Sequence, residues 1–143
     1  MNTSSELESD YEKIETNNWL DLKYKVMDED GEVVRFESLI KLAEFPGGYD
    51  SLANFIRKTI EYPKTAVEDS IAGRVKTTFI VDDNGKVKNV NVVEGVRKDL
   101  DSACYNGISL IPDWKPAESR DGKKIMVQFL LPIKFLLETE NEN

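Results

Sequence analysis

Two acidic clusters are the first places where this sequence could hold chemistry: Asp28-Glu29-Asp30-Gly31 and Asp82-Asp83-Asn84-Gly85. Carboxylates packed around a glycine suggest the oxygen-rich loop of a calcium site, in which that glycine has a fixed place relative to the first ligand. Setting Gly31 at that place puts Val26 at the first ligand position, and setting Gly85 there puts Ile80 at it. Neither side chain offers an oxygen, so both clusters read as turns. The chain has no histidine, which removes the commonest general base, the Ser-His and Cys-His nucleophile pairs and the His-containing zinc sites. Its single cysteine, Cys104, builds neither an internal disulfide nor a Cys-rich metal site, and its apolar neighbours at helical spacing place it in a core. Among 27 Asp and Glu residues no spacing singles out a catalytic pair. Phe45-Pro46-Gly47-Gly48 lacks the Lys and Ser/Thr of a phosphate cradle. The sequence predicts no enzyme, no metal and no cofactor.

With 143 residues, 40% of them hydrophobic, the chain can bury one modest core, so one compact domain is expected. Its formal charge of -8 repels phosphate backbones, so nucleic acid is not expected as a partner. No stretch approaches the roughly 20 apolar residues that cross a bilayer, and the first residues are polar and acidic where a signal peptide is basic and then apolar. Membrane attachment is therefore expected only through an anchor absent from this sequence.

The elements that would position any site follow from periodicity. Residues 1–17 and 139–143 are polar tails, too poor in large apolar groups to offset the entropy of ordering. In residues 18–42, Leu20, Leu22, Tyr24 and Val26 alternate, Asp28 to Gly31 turns, and Val33 to Phe36 returns: a β-hairpin. After the Phe45-Pro46-Gly47-Gly48 loop, a helix opens near Asp50 with Leu52, Phe55, Ile56 and Ile60 on one face, and Pro63 stops it. A short second helix follows, with Ala66, Val67 and Ile71 inward. Val75, Thr77, Phe79 and Val81 then alternate into the Asp-Asn-Gly turn. The return strand breaks phase between Val87 and the pair Val90 and Val92, which calls for a bulge near Lys88-Asn89. A third helix begins near Asp99, with Leu100, Ala103, Cys104, Gly107 and Ile108 inward. Trp114, between Pro112 and Pro116, is expected to lock its loop against the core, and Trp19 to anchor the hairpin by burial. The last strand carries Ile125, Val127, Phe129, Leu131, Ile133, Phe135 and Leu137 in strict alternation, with Pro132 inside it. A proline gives no N–H to a ladder, so one side of this strand is expected to be open near Pro132.

The order of these motifs resembles a known family. Glu44-Phe45-Pro46-Gly47-Gly48, Ile60-Glu61-Tyr62-Pro63, Gly73-Arg74-Val75, the Asp-Asn-Gly hairpin, Leu100-Asp101, Pro112-Asp113-Trp114-Lys115-Pro116 and Leu131-Pro132-Ile133 with Phe135 look like the C-terminal domain of TonB-family energy transducers, in the Bacteroidetes-type form. Residues 43–138 are read as that domain. The resemblance implies a periplasmic module without enzyme activity or cofactor, which grips the extended TonB-box peptide of an outer-membrane transporter and passes on force from an inner-membrane motor. The alternative is a TonB-like sensor, adaptor or self-associating module in which the hairpin extension caps or replaces the peptide site.

The expected fold is α+β: a three-stranded antiparallel sheet with the Gly73 strand between its return strand and the last strand (order 2-1-3), helices on one face, and an N-terminal β-hairpin extension covering an edge or a patch of core. A monomer is expected, with a homodimer through the last strand as the competing outcome. The peptide is expected to add beside Lys124 to Leu131, where Met126, Gln128 and Leu130 share the parity of Pro132 and direct their backbone groups outward. The resemblance adds Glu61, Tyr62 and Pro63 to this peptide-binding set, although Tyr62-Pro63 also reads as a plain joint between helices.

Overall fold

The computed structural model describes residues 10–16, 18–27 and 39–137. Its elements are β1 (Glu12–Lys13), β2 (Lys23–Met27), β3 (Leu39–Lys41), α1 (Tyr49–Thr59), α2 (Lys64–Glu68), β4 (Gly73–Val81), β5 (Val87–Glu94), α3 (Lys98–Ile108), β6 (Ala117–Ser119) and β7 (Lys124–Phe135). The sheet runs β1-β2-β7-β4-β5, with β3 and β6 paired to one side of this path. All its ladders are antiparallel.

The expected order of return strand, Gly73 strand and last strand holds as β5-β4-β7, with β4 and β7 in register from Gly73↔Phe135 to Val81↔Val127. Side chains alternate along a strand. Val75, Thr77, Phe79 and Val81 of β4 therefore share a face with Val127, Phe129, Leu131, Ile133 and Phe135 of β7, and all are buried against Leu52, Ile56, Ala66, Leu100, Cys104 and Ile108 of the helices. Thr77 satisfies its hydroxyl in this core by donating to the Leu131 carbonyl at 2.7 Å. The bulge in β5 falls at Asn89, whose φ is 55°. The register slips there by one residue, and Val87, Val90 and Val92 all pack against the core.

The sheet departs from three strands because the N-terminal segment joins it, as does the short β6 in the expected loop after Trp114. The expected hairpin turn at Asp28 to Gly31 and its return strand Val33 to Phe36 lie outside the described residues. Strand β2 pairs instead with β7 on one side and with β1 on the other, and β3 pairs with β6. Part of the expected polar tail is thus ordered: Glu12 faces Tyr24, Lys13 faces Lys23, and Tyr11 and Ile14 are buried. The reason is tertiary, since two apolar side chains among polar ones carry no periodic signal until a sheet edge receives them. Trp19 is also not the anchor. It is 41% exposed, with the Arg57 guanidinium 5.8 Å from its ring, and burial falls to Leu20 and Leu22 on either side of Asp21. Val67 likewise points out, leaving Ala66 as the buried residue of α2.

The turns are specified locally. Gly48 N–H donates to the Phe45 carbonyl across Pro46-Gly47, and Gly47 at φ 88° completes a type II turn that delivers the chain to α1. At Asp82-Asp83-Asn84-Gly85 the Asp82 carboxylate accepts the N–H groups of Asn84 and Lys86, each at 2.9 Å, so the acidic cluster builds a turn. Burial pushes the Asp82 carboxyl up, but those two N–H groups and the Lys88 ammonium outweigh it and hold it below the usual range. Asp99 is also held low, by the Arg97 guanidinium first and the Thr65 hydroxyl second, in a cluster that joins α2 to the start of α3 and includes Asp69.

Both folded values lie below the ordinary aspartate value of about 3.9. Their stabilisation is therefore complete above that value and is lost as pH falls through the folded values. Thermal midpoints are expected to hold steady from pH 7 to 5 and to drop towards pH 2. Asp82→Asn should flatten the drop; an identical pH profile for wild type and Asp82→Asn would remove this group from the account.

Candidate strand-binding edge

The candidate residues of the last strand stand opposite other parts of the chain. Leu130 faces Lys23, Gln128 faces Lys25 and Met126 faces Met27 across the β7–β2 ladder. Lys124 faces Glu118 of β6. The edge expected to receive a peptide carries a strand from the chain's own N-terminal segment.

Strand β2 is seated through alternate side chains. Leu22 and Val26 are fully buried and Leu20 nearly so, while Tyr24 packs against the core from a half-buried position. Burial, and then the charge of Glu12, push the Tyr24 phenol up. On the opposite face Lys25 is 3% exposed with its ammonium 4.9 Å from the centre of the Tyr11 ring. Asn18 ties the segment to α1, its amide donating to the Asp50 carboxylate at 2.7 Å. The β2 ladder stops at Leu130. The next outward position is Pro132, which has no N–H to give.

The remaining candidates do not join this group. Tyr62 stacks edge-on against Phe135, ring centres 5.2 Å apart, at the far end of β7. Lys124 stands eleven residues away along the strand, on the order of 36 Å. The Tyr62 hydroxyl donates to the Ile71 carbonyl at 2.5 Å, which fits the role of a joint between α1, α2 and β4. Glu61 is exposed and Pro63 precedes α2. Tyr62 nevertheless lines a cleft of about 520 Å³ with Trp19, Ile60, Ile133, Phe135 and Leu136, beside the part of β7 that β2 leaves unpaired. The sequence does not show this cleft because its walls come from three stretches distant along the chain.

Trp114 takes the expected place. It is 4% exposed, packed against Phe45, Phe79 and Phe129 with ring centres 5.7, 6.0 and 5.0 Å away. This aromatic group braces the middle of β7 from the helix side. Burial, then Asp101, push the Cys104 thiol up to about 12, so it is a core side chain and not a nucleophile. Among the described residues no cluster of three or more His, Cys, Asp or Glu side chains could hold a metal, and no helix is long and apolar enough to cross a membrane.

These features define a small α+β domain whose last strand accepts a further strand along its outer side. Residues 58–137 match the family described as the Gram-negative bacterial TonB protein C-terminal, over more than half of the chain, and the chain belongs to that family. No curated protein and no solved structure matches it. The matched region begins inside α1, so β1, β2 and β3 lie outside it.

Proposed function

We propose that this domain works in the periplasm, where the outer side of β7 takes up an extended peptide from an outer-membrane transporter by strand addition. Coupled to an inner-membrane anchor, it then transmits force for nutrient uptake. The observation that carries this reading is that the outer side of β7 pairs with a strand, β2, that comes from outside residues 58–137. Within the family-matched part that edge is a docking edge for an added strand. Main-chain pairing gives affinity with little demand on sequence, and side-chain seats give selectivity.

Full burial of Leu22 and Val26 favours a second reading, a TonB-like sensor or adaptor in which the N-terminal segment fills the edge permanently. Calorimetric titration with synthetic peptides from transporter N-termini separates the two. Saturable binding is expected, weakened at least tenfold when alternate peptide residues are replaced by proline, because proline removes the donors of a strand ladder. Equal affinity for the proline-interrupted peptides would rule out strand addition.

A proline in place of Gln128 is a poorer test than the bare alternation suggests. It removes one backbone donor, about 1 kcal/mol, from the bound β2 and the bound peptide alike.

A further inference from the structure

Strand β2 shows what a ligand of this edge has to look like. It runs antiparallel to β7, and its alternate side chains Leu22, Tyr24 and Val26 turn to the helices while Lys23, Lys25 and Met27 lie on the other face. Past Leu130 no described strand pairs with the outer side of β7, and the cleft beneath Trp19, Tyr62 and Leu136 opens at that point. Leu136 is 70% exposed there, an apolar side chain without cover next to a strand edge without a partner.

We propose that residues 18–27, which hold β2, are a tethered stand-in for the ligand strand, and that the peptide enters by exchange with β2. The ligand class follows: a peptide with apolar side chains at every second residue, running antiparallel to β7 and free to carry charge at the positions between. The proposal rests on the peptide-binding reading above and adds the ligand pattern and the control of access.

The inward seats set that pattern. An occupant that left the places of Leu22 and Val26 empty would open cavities in a close-packed interior, and one that turned a charge into them would leave it without a partner. The outward places admit charge where it is met, since the chain sets a half-buried Lys23 there and a buried Lys25 whose ammonium lies against the Tyr11 ring. Exchange is directional because β2 ends at Leu130: an incoming strand meets the unpaired stretch at Ile133 to Phe135 first and advances as β2 withdraws. A tethered strand competes at a high effective concentration. The apparent affinity of a free peptide is then reduced by the fraction of molecules in which β2 is open.

The test keeps the full chain and uses as probe a fluorescein-labelled synthetic peptide with the sequence of residues 18–27. Leu22→Ala loosens the tethered strand and is expected to bind the probe at least tenfold more tightly than wild type. A second variant combines Lys25→Cys with Gln128→Cys, residues that face each other in the ladder, where antiparallel Cα spacings of about 4.5 to 5.5 Å suit a disulfide. Cys104 is fully buried and stays out of that reaction. Oxidation is expected to suppress binding at least tenfold, and dithiothreitol to restore it. Equal binding by the oxidised and reduced forms, with circular dichroism unchanged, would overturn exchange, as would equal affinities of wild type and Leu22→Ala. Transporter peptides in the same assay separate the two claims. If the probe binds the loosened variant and no transporter peptide does, exchange stands and the proposed function falls. If transporter peptides bind the oxidised form undiminished, exchange falls and the peptide binds somewhere other than the stretch of β7 that β2 covers, whereas loss of transporter-peptide binding on oxidation supports both claims.

Discussion

Replacing Gly85 by alanine is expected to destabilise the domain by about 3 to 5 kcal/mol, a fall in thermal midpoint on the order of 10 to 20 °C. Gly85 sits at φ 82°, and a Cβ built there comes within 2.0 Å of the Trp114 carbonyl oxygen. The left-handed conformation alone costs a residue with a side chain about 1 to 2 kcal/mol. The rest comes from the collision, because the obstacle is backbone. The Gly85 carbonyl also accepts the Trp114 N–H at 2.7 Å, so moving one chain away from the other breaks that bond and lifts Trp114 from Phe79 and Phe129. Gly122 is the control. Its φ is 81°, and nothing lies within 4 Å of its added Cβ, so Gly122→Ala should show the conformational cost alone. Equal losses at the two positions would mean that the contact between the β4–β5 turn and the Trp114 loop does not hold the fold.

A comparable effect is expected from Phe129→Ala. Phe129 is fully buried in the middle of β7, with Phe79 opposite it on β4 and Tyr24 opposite it on β2. Its ring stacks on Phe79 at 5.4 Å and meets Trp114 at a tilt, ring centres 5.0 Å apart. Truncating a buried phenylalanine costs about 3 to 5 kcal/mol through lost transfer energy and the cavity left behind, and loss of the ring pairs adds about 0.5 to 1.5 kcal/mol. Chemical denaturation should therefore show Phe129→Ala near the limit of stable folding, whereas Trp19→Ala, at a 41% exposed site, should fall within about 1 kcal/mol of wild type. A loss below about 2 kcal/mol for Phe129→Ala would place the centre of the core elsewhere.

The features legible in the sequence were those fixed by a few neighbouring residues. The unbroken alternation from Ile125 to Phe135 marks β7, the phase break in the return strand marks the bulge at Asn89, and two prolines around Trp114 mark a loop locked on the core. Pro132 marked a change in pairing along one side of β7, and β2 stops short of it. The occupant of that edge was not legible, because alternation in Leu20 to Val26 says that one face is buried but not which strand stands beside it. Burial of Tyr11 and Ile14 was hidden for the same reason. The candidate set was read as one site, yet Tyr62 and Lys124 are held at opposite ends of β7, because the family motif that carries Tyr62 is distant in sequence from the strand and nothing local fixes where the two meet.

The central claim, that β7 presents the peptide-binding edge, is tested most directly by adding a spin-labelled transporter N-terminal peptide to isotope-labelled protein and reading the broadening of backbone amides. The account predicts broadening along β7 at Met126, Gln128 and Leu130 and around Ile133 to Phe135, with the amides of Lys23 to Met27 leaving their paired positions. Val87–Glu94, the strand at the other edge of the sheet, should stay sharp. Broadening centred on Val87–Glu94, with β7 untouched, would contradict it.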